Sequence, residues 1–441
     1  MKWMSLLLSF GVVSTSVQAA TIAVIDSGLD YKHEMIVPNL WTNPLEVFDN
    51  RDNDGNGYQD DVHGWNFAEQ NSDIIDYRYL GTFSNDPYKF FEIQAKQFMG
   101  TLTEEDRKWA NEKFADPNFV KEVSKFGNFI HGTHVAGIAI KGTYSQAMGI
   151  KLIPTEVKPF LENMRGQKSL RWSILEKTFA QLAKAQMGQM VEIARFINGH
   201  KAEIANGSFG TGFGQIKTIT DNAFRIAFLR KPNAEESDKA AKLFMDLLLK
   251  EGQQFVAAAP NTLFVFAAGN DGTNNDEKPV SPANLRADNS ITVAATFQDQ
   301  FLAPFSCYGE KHVDIAAPGM LINSAIPGDE YLLVSGTSQA APYVANVAAR
   351  VKDTNPSLRP VDIKRILMET VDKKSWLAGK VASGGLVNMK RAVAAAELSK
   401  RVNLSQAISL AKSQVKSTGT AKSVKTPVFN VTPIPLTPLF K

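Results

Sequence analysis

The sequence predicts an α/β protein built on parallel strands. Residues 22–25 and 263–268 are short apolar runs that end in an Asp or in a Gly-Asn turn. Such runs are typical of strands that are buried on both faces of a parallel sheet. A third observation is an apolar pattern at helical spacing, Val344, Val347 and Val351, directly after Gly336-Thr337-Ser338. Functional groups in parallel sheets collect at the carboxyl ends of the strands, and we expect the site there.

Length and composition fit one large domain with insertions. The chain has 441 residues, of which 44% are hydrophobic, enough for a sizeable core. Seven Lys and Arg residues and no acidic residue follow Glu397, so the tail has a formal charge of +7. Because the whole chain has a net charge of +3, the part before the tail has a charge of −4. The mildly acidic folded part predicts no nucleic-acid partner. Cys307 is the single cysteine, which excludes an internal disulfide. We expect a monomer.

The N-terminus is typical of an export signal. Lys2 precedes an apolar run over residues 3–13, and Val17-Gln18-Ala19 fits the small-x-small pattern before a cleavage site. We interpret 1–19 as a signal peptide and expect a secreted, periplasmic or cell-surface protein; the alternative is a buried first strand or helix. The run is too short to span a membrane, and no later stretch is long and apolar enough.

Ser338 is the first candidate nucleophile. It follows Gly-Thr at the predicted start of an apolar helix, and Pro342 is assigned to the first turn, where a missing N–H costs nothing. Free N–H groups and the helix dipole at such a start favour negative charge, which acyl transfer develops on an oxygen beside the nucleophile. The alternative is a Ser that only caps the helix.

Two further residues fit a catalytic role beside Ser338. Asp26 ends the first predicted strand, where it is either a turn former or the residue that orients a histidine. His131-Gly132-Thr133-His134 opens a predicted apolar helix. The histidines could be a metal pair, a general base or two packed side chains; no third ligand pattern accompanies them, so we favour the base.

Two Gly-rich strand ends are candidates for binding a peptide. Asn206-Gly207-Ser208-Phe209-Gly210 ends a predicted strand in a way that suits pairing with an extended chain. Asn270 follows the strand at 263–268 and is either a turn residue or a donor to an oxyanion.

An acidic loop at residues 52–61 has the spacing of a calcium site. Asp52, Asp54, Asn56 and Asp60 fall at positions 1, 3, 5 and 9, with Gly57 at the tight bend. The Glu expected at position 12 is replaced by His63, so we exclude an EF-hand and assign the missing carboxylate to Asp60 or Asp61. The predicted Ca²⁺ ligands are Asp52, Asp54, Asn56, Tyr58, Asp60 and Asp61. The alternative is a solvated turn.

Two regions flank the predicted chemistry. Residues 72–128 are rich in charges and aromatics and are interpreted as a helical surface insertion that shapes the rim of a cleft. The main domain is assigned to 20–398 and the basic tail to 399–441. We expect the tail to be mostly disordered, with a short helix at 404–412.

The motifs together resemble the subtilisin-like serine proteases, or subtilases. Asp26, His131 and Ser338 occur in the chain order of subtilisin, whereas the sequence after Gly336 lacks the second Gly of an α/β-hydrolase. The matching segments are Val24-Ile25-Asp26-Ser27-Gly28, His131-Gly132-Thr133-His134-Val135-Ala136-Gly137, Gly336-Thr337-Ser338-Gln339-Ala340-Ala341-Pro342, Asn206-Gly207-Ser208-Phe209-Gly210 and Ala267-Ala268-Gly269-Asn270.

The resemblance implies a mostly parallel, doubly wound sheet flanked by helices, with helical insertions. It also implies roles: Ser338 as nucleophile, His131 as general base, Asp26 as the residue that orients it, and Asn270 with the Ser338 N–H as oxyanion donors. The implied substrate-binding residues are Ser208, Phe209, Gly210, Ala267 and Gly269. The segment around Phe209 suggests a preference for apolar or aromatic substrate residues.

The predicted function is an exported serine endopeptidase that cleaves protein or peptide substrates through an acyl-enzyme. The alternative is an inactive subtilase scaffold that binds peptides or protein partners. The predicted first strand follows the predicted signal directly. We therefore expect no folded propeptide between them, unlike in many secreted relatives, and the tail at 399–441 is a candidate for that role.

Overall fold

A computed structural model describes residues 19–157 and 172–417. The predicted signal up to residue 18 and the end of the tail from 418 lie outside the described residues. The helices are α1 (Asn85–Met99), α2 (Glu104–Phe114), α3 (Pro117–Ile140), α4 (Trp172–Gly199), α5 (Phe213–Phe228), α6 (Ala234–Ala257), α7 (Thr337–Thr354), α8 (Pro360–Glu369), α9 (Met389–Leu398) and α10 (Leu404–Gln414). The strands are β1 (Thr21–Asp26), β2 (Gly64–Asn66), β3 (Gln146–Lys151), β4 (Ile204–Gly207), β5 (Thr211–Gly212), β6 (Leu263–Ala267), β7 (Val280–Ser281), β8 (Ser290–Phe297), β9 (Phe301–Leu302), β10 (Ile315–Pro318), β11 (Ile322–Ile326), β12 (Glu330–Val334), β13 (Asp372–Lys373) and β14 (Gly385–Leu386).

The central sheet confirms the predicted fold class. Its strand order is β13-β14-β10-β8-β6-β4-β1-β3-β2, with β9 paired to β8. Neighbouring strands run parallel from β14 to β2, and the antiparallel pairs are β13 with β14 and β9 with β8. The first strand of the described chain therefore lies inside the sheet, between β3 and β4.

The sheet is buried on both faces, as the apolar runs predict. In β1 every residue is buried, and alternate side chains enter different cores. Ile22 and Val24 pack with helices α3, α7, α8 and α9 on one face. Ala23 and Ile25 pack with α4, α5 and α6 on the other face. This two-sided burial explains why the strand shows an unbroken apolar run rather than alternation.

Helix α3 departs from the prediction in a way that matters for the site. The sequence indicated a helix that starts at His131, whereas α3 already begins at Pro117, with Asp116 capping the first turn through the Asn118 N–H. Pro suits a first helical position, and buried Phe119, Val123 and Phe126 continue the helical pattern back through the predicted insertion. His131 therefore lies in the middle of a 24-residue helix, and the argument from a helix N-terminus does not apply to it.

The remaining segments complete the domain. Helices α1 and α2 of the predicted insertion pack on the first half of α3 through an aromatic cluster that also includes Ile326 and Val334. The predicted short helix of the tail is observed as α10, and its Ile408 and Ala411 join the core, so the ordered fold extends past residue 398. Among the described residues, no helix has the length and hydropathy that a membrane span requires.

Candidate active site

The Asp26 carboxylate and the His131 ring form a direct pair. Asp26 is the last residue of β1 and is fully buried, and its Oδ1 lies 2.6 Å from His131 Nδ1. The same Oδ1 accepts the backbone N–H of Ser27 at 2.7 Å. His131 keeps 20% of its side chain exposed, so one edge of the ring is open to a substrate. The carboxylate fixes the tautomer in which Nδ1 carries the proton and leaves Nε2 free as a base.

Glycine allows α3 to approach β1 closely enough for this pair. A Cβ on Gly132 would lie 2.0 Å from the carbonyl oxygen of Gly28, which itself has a φ of +131°. The Gly132 N–H donates to Ser27 Oγ at 3.1 Å, and Thr133 Oγ1 accepts from the Asp30 N–H at 2.9 Å. The small residues that flank Asp26 and His131 thus hold the helix against the strand end.

The two histidines of the motif have different environments. Burial opposes the charged form of His131, but the Asp26 carboxylate outweighs burial and raises the pKa of this ring. His134 is fully buried, donates from Nε2 to the Leu332 carbonyl at 3.0 Å, and burial lowers its pKa to about 4. His134 is therefore a neutral packed residue, and the geometry does not support a metal pair.

Ser338 lies at a helix start, as predicted. It is the second residue of α7, it is buried, and its hydroxyl donates to the Ser208 carbonyl at 3.2 Å. In return, the Ser208 hydroxyl donates to the Ser338 carbonyl at 2.9 Å. These reciprocal hydrogen bonds fix the nucleophile candidate to the segment that follows β4.

Pro342 explains why the Ser338 carbonyl is available to Ser208. The sequence placed Pro342 in the first turn, but α7 begins at Thr337, so Pro342 is the sixth helical residue. A residue there would normally donate its N–H to the carbonyl four positions earlier, which is that of Ser338, and proline has no N–H. The Ser208 hydroxyl supplies the missing donor.

Asn270 is oriented by the residue before Ser338. Its Oδ1 accepts the Thr337 N–H and the Thr337 hydroxyl, both at 2.9 Å, and Thr337 Oγ1 accepts the Gly269 N–H at 3.1 Å. Since Oδ1 is occupied in this way, the Asn270 amide N–H₂ remains as a donor beside the start of α7. That donor and the Ser338 N–H are the two groups that the resemblance assigns to the oxyanion hole.

The Asp26–His131 pair and the Ser208–Ser338 pair lie at the carboxyl ends of two neighbouring strands. Strands β1 and β4 are neighbours, and Ile25 and Gly207 are their last paired residues. Asp26 and Ser208 follow at adjacent strand ends, about 5 Å apart in the direction across the strands. The Ser338 hydroxyl donates to the Ser208 carbonyl and not to the His131 ring in this structure.

The predicted substrate-binding segments lie at the ends of β4 and β6. Ser208 and Gly210 are buried, and Phe209 is completely buried in the core beneath α4–α6. The Phe209 ring offers no exposed surface to a substrate, so the suggested apolar or aromatic preference loses its basis. Ala267 ends β6 in the opposite core, and Gly269 has a φ of +116°.

Cys307 packs beneath Gly269 as a small buried hydrophobic residue. A Cβ on Gly269 would lie 2.9 Å from Cys307 Sγ, so only glycine fits there without displacing its neighbours. Burial raises the pKa of the Cys307 thiol, which therefore stays protonated and unreactive.

The acidic loop brings most of the predicted calcium ligands together. Carboxylate oxygens of Asp52, Asp54 and Glu46 lie within 4.8 Å of one another, and Asp54 and Asp61 form a second group with His200. The Asn56 amide lies between Asp54 and Asp61, at 3.1 and 2.9 Å. Backbone N–H groups of the loop donate to these carboxylates, those of Gly55 and Gly57 to Asp52 and those of Asn53 and Asp54 to Glu46. Oxygen donors of this kind suit Ca²⁺.

Two of the predicted calcium ligands have other partners. Asp60 Oδ1 accepts the N–H groups of Asp49 and Asn50, and Asp60 belongs to neither acidic group. The Tyr58 ring packs in an aromatic cluster and its hydroxyl donates to Glu192 at 3.2 Å, so only its backbone carbonyl remains for a metal. Glu46 supplies the further carboxylate.

Sequence reasoning missed several residues that position the site. Three of them stand directly beside a motif residue and hold a neighbour by a hydrogen bond: Thr337 holds Asn270, Ser27 holds Gly132, and Thr133 holds Asp30. Glu46 and His200 join the acidic loop from outside it. Adjacency to a motif could have flagged the first group, whereas nothing in the spacing of the loop indicates the second.

Comparison with known proteins gives consistent matches. The sequence profile of the Subtilase family (Peptidase S8) matches residues 18–393. Subtilisin-like protease 1 of Plasmodium vivax is 26% identical over 379 residues, which are 86% of this chain and 47% of that protein. Alkaline elastase YaB of Bacillus sp. (strain YaB) is 42% identical over 137 residues, which are 31% of this chain and 34% of that protein.

The chain spans about half the length of the Plasmodium relatives that it matches. Among solved structures, a cold adapted subtilisin-like serine proteinase matches with a TM-score of 0.42 and 19% identity, covering 83% of this chain and 86% of that chain. The family profile covers most of the sequence, including Asp26, His131 and Ser338. The chain therefore belongs to the subtilase family.

Proposed function

We propose that this protein is an exported serine endopeptidase that hydrolyses peptide bonds through an acyl-enzyme, with Asp26, His131 and Ser338 as its triad. The observation that carries the proposal is the 2.6 Å pair between Asp26 and His131, and the position of Ser338 in the first turn of α7 supports it. Relatives named as proteases in Plasmodium and Bacillus support the same reaction class.

In the first step Ser338 Oγ attacks the carbonyl carbon of the substrate. Its proton passes to His131 Nε2, which is the free nitrogen because Nδ1 faces Asp26. The hydroxyl first rotates away from the Ser208 carbonyl. The carbonyl oxygen becomes an oxyanion, which accepts from the Asn270 amide and from the Ser338 N–H at the positive end of α7.

In the second step the tetrahedral intermediate collapses and the C–N bond breaks. The protonated His131 gives its proton to the leaving amine, and the acyl group stays on Ser338 as an ester. Water then attacks the ester carbon, His131 takes its proton, and the same donors stabilise the second oxyanion. That intermediate collapses, the bond between the carbon and Ser338 Oγ breaks, and His131 returns the proton to Oγ as the carboxylic acid product leaves. Asp26 stabilises the imidazolium in each step and stays ionised.

Protein or peptide chains are the proposed substrates. The backbone of Ser208, Phe209 and Gly210 continues from β4 beside Ser338 and is suited to pair with an extended chain. Main-chain pairing of this kind is independent of the substrate side chains, so the residues that set preference lie elsewhere on the cleft.

A fluorophosphonate probe separates the peptidase from an inactive scaffold. The probe phosphonylates only a serine that is activated by a base, so we expect the full-length protein to be labelled and Ser338→Ala to abolish labelling. Ser413→Ala, on the exposed α10, is the matched control and should label like the parent. A folded parent protein without labelling supports the scaffold and overturns the proposal.

We propose further that the acidic loop binds Ca²⁺ through Glu46, Asp52, Asp54 and Asp61, with Asn56 as a neutral donor. The loop is already closed by hydrogen bonds from the N–H groups of Gly55 and Gly57 to Asp52. A bound divalent cation would add a positive charge among these carboxylates. The role we assign is structural, since the loop contributes no group to the triad.

A further inference from the structure

We propose that cleavage between Ala19 and Ala20 creates an α-ammonium group at Ala20 that is bound by Asp353, so that removal of the signal peptide adds an ion pair to the folded domain. The inference rests on the proposed export of the protein and is independent of its proteolytic activity. The cleavage is a hydrolysis by the export machinery: water adds, the C–N bond breaks, Ala19 keeps the carboxylate and the Ala20 amine takes up a proton.

The nitrogen of Ala20 already lies against a carboxylate. Asp353 Oδ1 is 2.6 Å from the Ala20 nitrogen, and Asp353 Oδ2 accepts from the Ser145 hydroxyl at 2.8 Å. The next nitrogen, that of Thr21, donates to Glu203 Oε2 at 2.9 Å. Ala20 is 1% exposed, and both of its carboxylate neighbours are half-buried. Two carboxylates thus converge on the first two residues of the predicted mature chain.

Both carboxylates lack a cation in the described part of the chain. Asp353 and Glu203 are half-buried, and no described lysine, arginine or histidine forms an ion pair with either one. The nearest basic neighbour in sequence, Lys352, donates instead to the carbonyls of Pro356 and Leu358. Partly buried charge without a cationic partner is costly, so a positive group beside these carboxylates would stabilise the fold.

The position of Asp353 in its helix strengthens this argument. Asp353 lies in the last turn of α7, where the helix dipole presents negative charge and an acidic side chain is unfavourable. A cation is the stabilising group at a helix C-terminus. An α-ammonium group at Ala20 would compensate the side chain and the end of the helix together.

The cut must come from a different enzyme. Asp353 lies 15 residues after Ser338 in the same helix, which corresponds to about 22 Å along its axis. The Ala20 nitrogen is therefore far from the nucleophile of its own chain. The pair joins the start of the strand that carries Asp26 to the end of the helix that carries Ser338.

The test compares two N-termini in a Ser338→Ala background, which prevents self-digestion. One chain begins at Ala20 and the other at Val17, which moves the ammonium group about 11 Å along the chain; both are released from a removable fusion and keep residues up to 441. Asp353→Asn keeps an oxygen acceptor and removes the charge. Glu369→Gln is the matched control, because Glu369 also ends a helix but pairs with Arg365.

We expect the unfolding equilibrium constant, from denaturant titration, to be about tenfold smaller for the chain that begins at Ala20 than for the chain that begins at Val17. Asp353→Asn should bring that ratio close to one, and Glu369→Gln should leave it at about tenfold. If the two chains with Asp353 intact have nearly equal unfolding equilibrium constants, the inference is wrong. It is also wrong if Asp353→Asn leaves the tenfold ratio between the two chains unchanged.

N-terminal mass spectrometry of the protein recovered after export completes the test. A first residue other than Ala20 overturns the inference. Labelling of the native protein by the fluorophosphonate probe is read separately, so loss of catalysis and loss of the N-terminal ion pair are distinguishable outcomes.

Discussion

Replacing Gly132 by alanine should disable the site without touching a reacting group. The added Cβ would lie 2.0 Å from the Gly28 carbonyl oxygen, and atoms of this kind do not come closer than 3.0 Å. Helix α3 must therefore move away from β1 by about 1 Å. His131 precedes Gly132 and moves with it, so its 2.6 Å contact with Asp26 lengthens beyond hydrogen-bond range.

A displacement of about 1 Å at a catalytic group costs on the order of 10²-fold in rate. We therefore expect kcat/KM for a chromogenic peptide, and the rate of fluorophosphonate labelling, to fall about 10²-fold in Gly132→Ala. Thermal unfolding should also shift to lower temperature, because the close contact between α3 and β1 is lost.

The same helix provides the control. A Cβ on Gly127 meets no atom within 4 Å, so Gly127→Ala should keep full activity and gain up to about 1 kcal/mol from helix propensity. If Gly132→Ala retained the parent kcat/KM, the argument that this glycine sets the Asp26–His131 distance would be wrong. Equal losses in the two variants would show that helix stability, rather than position, controls the rate.

Three other predictions concern the triad, the oxyanion donor and the metal. Asp26→Asn removes the charge that raises the pKa of His131, while the burial that lowers this pKa remains. The acidic limb of the kcat/KM–pH profile should therefore move to lower pH, and kcat should fall about 10⁴-fold. A shift of that limb to higher pH contradicts the assignment. Asn270→Asp keeps the acceptor for Thr337 but loses the amide donor. We therefore expect kcat to fall by at least about 10²-fold with little change in KM, as for the equivalent donor in subtilisin. A fall in kcat/KM that comes from KM alone argues against an oxyanion role. Chelation of Ca²⁺ should lower the free energy of unfolding by about 2.7 kcal/mol if the ion was present at 100 times its Kd. Calorimetry should show no such loss on chelation in Asp52→Asn. An unchanged Tm in the parent protein means that the loop is only a turn.

Local sequence patterns were sufficient to predict the strands and the residues at their ends. The run at 22–25 predicted a buried strand, and Asp26 lies at its end in the structure. The Gly-Thr-Ser sequence followed by an apolar helical pattern likewise placed Ser338 at the start of α7. Both signals are local, because a strand that is buried on both faces and a helix start each leave a short pattern of their own.

The errors arose where distant segments decide the local structure. The motif predicts a helix that starts at His131, yet Pro117 and an aromatic face continue α3 back through the insertion. Pro342 lies in the second turn of α7 and not, as the sequence predicts, in the first. The hydroxyl that replaces its missing N–H belongs to Ser208, which is 130 residues from Ser338 in the chain and leaves no local signal. Glu46 joins the acidic loop through a turn that the loop spacing does not contain.

The candidate site is built from segments that lie far apart in the sequence, so the last of these segments determines when the site can form during synthesis. The histidine and its carboxylate partner are 105 residues apart in the chain, and the serine is held by a segment 130 residues before it. The chain must therefore be synthesised past Ser338 before both sets of contacts can be present together, whereas the Asp26–His131 contact requires only earlier segments.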